Sequence, residues 1–183
     1  MKPMAAALLA FALALPAAAR EVAGVKLDET VSVAGQSLAL NGAGIRKKFV
    51  VKVYVGALYL ASPASDPEAI VAADAPKRVR MVFLRDVDRD SVLGAFRDGF
   101  DANSGAQAAQ ARADLDGVAG AIPDMKEGGE LVVTYVPGQG TTLSATGAQS
   151  ATVPGKAFAE ALFRNWLGPK PADEGLKKAM LGK

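Results

Sequence analysis

Two residue types are missing altogether: the chain of 183 residues contains no cysteine and no histidine. Without cysteine there is no disulfide, so core packing alone must hold the fold. Ser-His-Asp and Cys-His triads are excluded. So are zinc sites of the usual Cys/His kind, haem held by His or Cys, and a thioredoxin-like redox pair. Any general acid or base has to be Asp, Glu, Lys, Tyr or a bound water. No metal and no cofactor is therefore expected. A dominant charge is lacking too: 21 basic residues face 19 acidic ones, for a net charge of +2. That balance gives no electrostatic argument for nucleic acid or an anionic membrane as partner. Long apolar runs are scarce. The longest, Ala5 to Leu15, falls short of the roughly 20 residues that span a bilayer. Charges, glycines or prolines interrupt every later one, so no integral membrane segment is expected beyond it.

What the N-terminus does have is a positive charge at Lys2, that short apolar run and the small residues Ala17-Ala18-Ala19. These are the parts of a cleavable secretory signal. The expectation is a signal peptide over residues 1–19 and one secreted domain over residues 20–183, with the periplasm as its destination. That length suits one domain with a real core.

The strongest strand signal runs from Phe49 to Leu60, rich in Val and Tyr. At period two, Val51, Val53, Val55, Ala57 and Tyr59 share one face, and Lys52, Tyr54, Gly56, Leu58 and Leu60 the other. Both faces are mostly apolar, so both should be covered. The polar tips of Lys52 and Tyr54 place a cavity on the second face. Val25 to Leu27 and Leu38 to Leu40 read as short strands, and Asn41 to Gly44 as a loop or bulge. Asp66 to Ala73 reads as a short helix, and Arg78 to Phe83 as a strand. Asp88 to Phe100 is an amphipathic helix with Val92, Phe96 and Phe100 as its stripe and Asp88 as its cap. Gln107 to Leu115 is Ala-rich and helical. Gly129 to Val136 and Thr141 to Ala145 form a hairpin across Pro137-Gly138-Gln139-Gly140. This Gly-x-Gly joins two strands and opens no helix, so it is not a dinucleotide-binding motif. Helices follow over Lys156 to Leu167, stopped by Gly168 and Pro169, and over Glu174 to Leu181. The order argues an α+β fold: an antiparallel sheet with helices on one face.

Three segments together resemble the chalcone isomerase-like superfamily, in particular its short exported bacterial-type members. They are Leu38 to Leu60, with Asn41-Gly-Ala-Gly-Ile-Arg46 leading into Lys52 to Leu60; Phe83 to Val92 leading into the helix with Phe96; and the hairpin Glu127 to Ala145 followed by Gly155 to Leu181. The match covers roughly residues 22–181, and order and spacing carry it rather than any one motif. The resemblance implies an open-faced β-sandwich: a large antiparallel sheet, a layer of helices, and a ligand cleft between them. Some members of the superfamily cyclise chalcones, and others bind fatty acids without catalysis.

Residue by residue, the resemblance matches the cleft arginine to Arg46, which holds a phenolate in the isomerases and a carboxylate in the fatty-acid binders. It matches a sheet position to Tyr54, tyrosine being the pattern of the binders. It matches a polar-apolar pair on the C-terminal helix to Asn165 and Trp166. The isomerases' Tyr, Lys and Asn on the loop and helix around Arg85 to Phe96 are not reproduced; Arg89, Ser91, Val92 and Phe96 stand there instead. An arginine fork and a hydroxyl donor without a ketone-polarising set is the chemistry of carboxylate binding. Phe96, Phe100, Leu162, Phe163 and Trp166 would supply an apolar tunnel wall, and by the resemblance Trp166 would fill or line the cleft.

The candidate ligand-binding residues are thus Arg46, Tyr54, Phe96, Asn165 and Trp166, with no catalytic residue and a small apolar or amphipathic ligand as partner. Two alternatives stand beside this reading: an isomerase acting on a chalcone-like or other enone substrate, and an envelope interaction module whose cleft is closed. Read without the resemblance, Arg46 is more simply a turn residue before Lys47-Lys48 than a ligand contact. On one straight strand Arg46 and Tyr54 would lie roughly 26 Å apart at 3.3 Å per residue. They converge only if the chain turns near Lys47-Lys48.

Overall fold

The computed structural model describes residues 19–183. The expected signal peptide, apart from Ala19, lies outside the described residues. In chain order the elements are β1 (Ala19–Val22), β2 (Val25–Asp28), β3 (Thr30–Val33), β4 (Gln36–Lys48), β5 (Val51–Leu60), α1 (Pro67–Ala72), β6 (Lys77–Phe83), α2 (Arg89–Asn103), α3 (Ala108–Gly117), β7 (Glu130–Val136), β8 (Gly140–Ala145), β9 (Ala151–Val153), α4 (Lys156–Leu167) and α5 (Glu174–Met180). Strands β3 to β9 form a seven-stranded antiparallel meander in sequence order, and β1 pairs with β2 in a separate hairpin. This is the expected α+β architecture.

Strand β4 is long because a bulge absorbs the segment read as a loop or bulge. Its pairing with β5 shifts between Leu40 and Gly42, leaving Asn41 as the extra residue. One inserted residue reverses the side-chain parity. Leu38 and Leu40 before the bulge, and Ala43 and Ile45 after it, therefore share one face with Val55, Ala57 and Tyr59. Gly42 and Gly44 are left on the opposite face against α5, and Arg46 is next in that row. Asn41 uses its freed side chain to donate to Ala64 O (2.9 Å) and Met180 O (2.7 Å) and to accept from the Ala64 N–H (2.8 Å).

The helices lie on one face. Asp66 and Asp88 accept backbone N–H groups at the starts of α1 and α2, as N-cap aspartates do. Phe96 and Phe100 of α2 and Phe158, Leu162, Phe163 and Trp166 of α4 bury against Leu58, Val79, Met81 and Leu131 of the sheet. The other face packs a smaller cluster around Leu27 of β2, Val55 and Tyr59. Both faces of β5 are covered, as its composition implied.

Candidate ligand cleft

Arg46 and Tyr54 are directly opposed partners across β4 and β5. The chain turns at Phe49-Val50, within two residues of the place that convergence required, so Arg46 belongs to the strand before Tyr54's. Its guanidinium carbon lies 5.7 Å from the centroid of the Tyr54 ring, a cation–π distance. A second register shift falls just beyond, because Tyr54 pairs with Arg46 while Lys52 pairs with Lys47. Val53 is the extra residue. It packs with Tyr54 on the helix side, not with Val55 and Tyr59 as strict alternation predicted. Periodicity alone does not reveal a bulge, which is why Val53 escaped the reading as a cleft residue.

Helices roof this corner of the sheet. Ser91, Val92 and Phe96 come from α2, Asn165 and Trp166 from α4, and Ala172 from the segment before α5. All five candidate residues, Arg46, Tyr54, Phe96, Asn165 and Trp166, line one cleft. The indole N–H of Trp166 donates to the Tyr54 hydroxyl at 2.9 Å. Phe96 meets Trp166 edge-on at 5.9 Å, and Phe83 backs Tyr54 at 5.7 Å. Met81, Phe83 and Val87 complete the wall. Of these, Phe83 and Val87 lie in the segment that carried the resemblance, but nothing in their spacing marked them as cleft residues.

The expected tunnel is not there. The cleft offers about 40 Å³, far below the roughly 300–1,000 Å³ of a ligand pocket. Phe100, Leu162 and Phe163 are wholly buried in the core and line none of it. Trp166, 1 % exposed, fills the space instead. Arg46 and Asn165 also border a wider, more polar trough of about 430 Å³, which Lys48, Asp98 and Lys170 line as well. The Asn165 amide donates to Leu162 O at 3.1 Å on its own helix. Its oxygen rests on Gly99 of α2, where a Cβ would come within 1.5 Å of it. Asn165 thus holds α2 and α4 close, and it stands in the wall shared by cleft and trough.

The charges here are unevenly matched. The Arg46 guanidinium has no carboxylate partner and donates no hydrogen bond among the described residues. The nearby Asp173 is committed elsewhere: it accepts the Lys47 N–H at 2.9 Å and the Leu176 N–H at 2.8 Å. Burial pushes the Tyr54 hydroxyl up to about 12 against the opposing pull of Arg46. Tyr54 therefore stays protonated across the physiological range and, while accepting from Trp166, keeps its own proton to donate. The Ser91 hydroxyl is committed to Asp88 at 2.8 Å. Arg46 and Tyr54 are the ionisable side chains of the cleft wall. The site can offer an incoming anion one unpaired guanidinium and one hydroxyl, against an apolar wall.

Comparison with known proteins supports the architecture. The crystal structure of a fatty-acid binding protein of Arabidopsis thaliana superposes with a TM-score of 0.61 over 86% of this chain and 92% of that one, at 13% identity. At that identity the likeness is one of fold. No curated protein matches the chain. The chalcone isomerase-like family profile matches residues 19–182, nearly the whole described chain, and on that match the chain belongs to the chalcone isomerase-like family.

Proposed function

We propose that the chain is an exported, non-catalytic binder of a small amphipathic carboxylate, held by Arg46 and Tyr54. One observation carries this reading: a guanidinium without a carboxylate partner stands beside a protonated hydroxyl at the edge of an apolar cleft. An arginine fork matches a carboxylate in charge and shape. The structurally similar Arabidopsis protein carries fatty-acid binding in its name, and the signal-like N-terminus supports export to the periplasm. The cleft admits the apolar part of the ligand when Trp166 releases Tyr54 and swings aside, and the ligand carboxylate then accepts a hydrogen bond from the Tyr54 hydroxyl. Breaking the Trp166–Tyr54 hydrogen bond costs about 0.5–1.5 kcal/mol, and displacing the buried indole from Phe96 and Phe163 adds to it, so the apolar part of the ligand has to refill the space that Trp166 leaves.

Trp166 is the single tryptophan of the chain, so its fluorescence reports this event without a label. Titration with hexanoate, decanoate and cinnamate should give a saturable change for at least one of them. Arg46→Ala should weaken that affinity by tenfold or more, and Tyr54→Phe by a smaller factor. An affinity unchanged in Arg46→Ala would sink the reading. The size of the cleft favours a second one, in which Trp166 never leaves and the fold works through its surface as an interaction module. A flat fluorescence titration with every carboxylate is the result it expects.

A further inference from the structure

The β4–β5 turn is built unlike the β1–β2 and β3–β4 turns. Those two use Ala23-Gly24 and Ala34-Gly35, each a small residue followed by a glycine at positive φ. The β4–β5 turn uses Phe49-Val50 and holds Phe49 at φ +58°, where a bulky side chain is strained. Phe49 and Val50 are each 92% exposed, and Val51 beside them is exposed as well. Lys47 stands directly across from Lys52 in the register, and all residues from Lys47 to Lys52 are exposed. A like-charge pair directly opposed across two strands weakens a hairpin. Folding would favour Gly or Asn at the turn and an acid opposite the lysine, so the tip is shaped for something else.

We propose that this tip is a membrane-contact finger, seating Phe49 and Val50 in the interfacial layer of an anionic bilayer with Lys47, Lys48 and Lys52 among the lipid headgroups. An apolar tip collared by lysines matches the two layers of such a surface, acyl chains below and negative headgroups above. The whole chain is near neutrality, so the attraction is local. The segment from Gly42 to Leu60 carries four basic residues and no acidic one. Of the acids nearby, Asp86 pairs with Lys126, while Asp88 and Asp173 keep their charge at the starts of α2 and α5, set back from the tip. A groove of about 310 Å³ connects Phe49 and Val51 with Arg46 and Ser91, so the finger brings the cleft to the lipid surface. The docking stands without the carboxylate reading, and it names a lipid bilayer as the source of the ligand should that reading hold.

Flotation of the purified protein with vesicles tests this. It should partition onto phosphatidylcholine vesicles containing about a third phosphatidylglycerol, weakly onto phosphatidylcholine alone, and less as salt rises. The double variant Phe49→Ser/Val50→Ser should lose tenfold or more in partition, and Lys48→Gln about fivefold. Neither substitution touches the core, so the melting transition should persist, and carboxylate titration of Trp166 should be unchanged in the double variant. Failure of the wild-type protein to float, or equal flotation of the double variant, overturns the proposal. So does a wild-type dimer that the double variant converts to monomer, which would make the tip an interface between two copies of the chain.

Discussion

Lys77 shows how much one residue's surroundings can change its chemistry. It is 2% exposed at the start of β6. Its ammonium donates to Ile70 O (2.7 Å), Val71 O (2.9 Å) and Ala73 O (2.8 Å), closing the free carbonyls at the end of α1. It also lies 5.5 Å from the ring centroids of both Tyr135 and Phe163. Burial, helped by the charge of Lys156 and opposed by Glu160 and Asp74, pulls it down from 10.5 to about 8. Below about pH 8 both folded and unfolded chains carry the proton, and the folded state bears the full cost of burying it. Between about pH 8 and 10.5 the folded state releases the proton first, so the unfolded chain binds more protons there and stability rises with pH. The difference in unfolding free energy between the wild-type protein and Lys77→Met should therefore shift in the wild type's favour across that window. A difference that does not change with pH would place Lys77 at an ordinary lysine value. The sequence reads this strand from Arg78 and leaves Lys77 outside it, and the carbonyls that hold Lys77 belong to another element, which residue identity alone does not reveal.

At the scale of elements, the helices and strand β5 are legible, while the full length of β4 and the short edge strands are not. Helix α4 was read with its bounds intact because a buried stripe of Phe158, Leu162 and Trp166 and a Gly-Pro stop mark it. Strands β1, β3 and β9 were missed, for they are three or four residues long and have too little length to show a period. The stretch from Asn41 to Gly44 marks a loop or bulge but not the change of parity, and nothing marks the bulge at Val53; together they decide which side chains reach the helices. One consequence is a glycine floor under α5. A Cβ at Gly44 would stand 2.6 Å from Ala179 Cβ, and one at Gly56 2.8 Å from Met180 Cε. Gly44→Val should lift α5 from the sheet and cost about 1–3 kcal/mol in urea unfolding, the usual range for overpacking. Adding Ala179→Gly removes the methyl it strikes, so the double variant should recover part of that loss. A strictly additive double variant would show that the two positions do not meet.

Across the whole molecule, a chain without disulfides must cover both faces of its sheet by packing, and it does so unequally. The helix side carries the larger core and the cleft; the opposite side is sealed by the β1–β2 hairpin, with Leu27 wholly buried against Val55 and Tyr59. The resemblance found the cleft residues because it supplied their order along a known architecture. It left open whether Trp166 fills the cleft or lines it, since an aromatic side chain reads the same whether it walls a tunnel or occupies it, and packing alone decides between them. The two faces also separate stability from binding. Leu27→Ala should destabilise the protein by about 2–5 kcal/mol, the span seen when a buried leucine is truncated, with an unchanged denaturant slope. Because the sheet lies between Leu27 and the cleft, the carboxylate titration of Trp166 should keep its affinity under conditions where the variant is folded. A parallel loss of affinity would mean that the sheet transmits strain from its sealed face to the cleft, and that closure of Trp166 on Tyr54 depends on the curvature that the hairpin imposes.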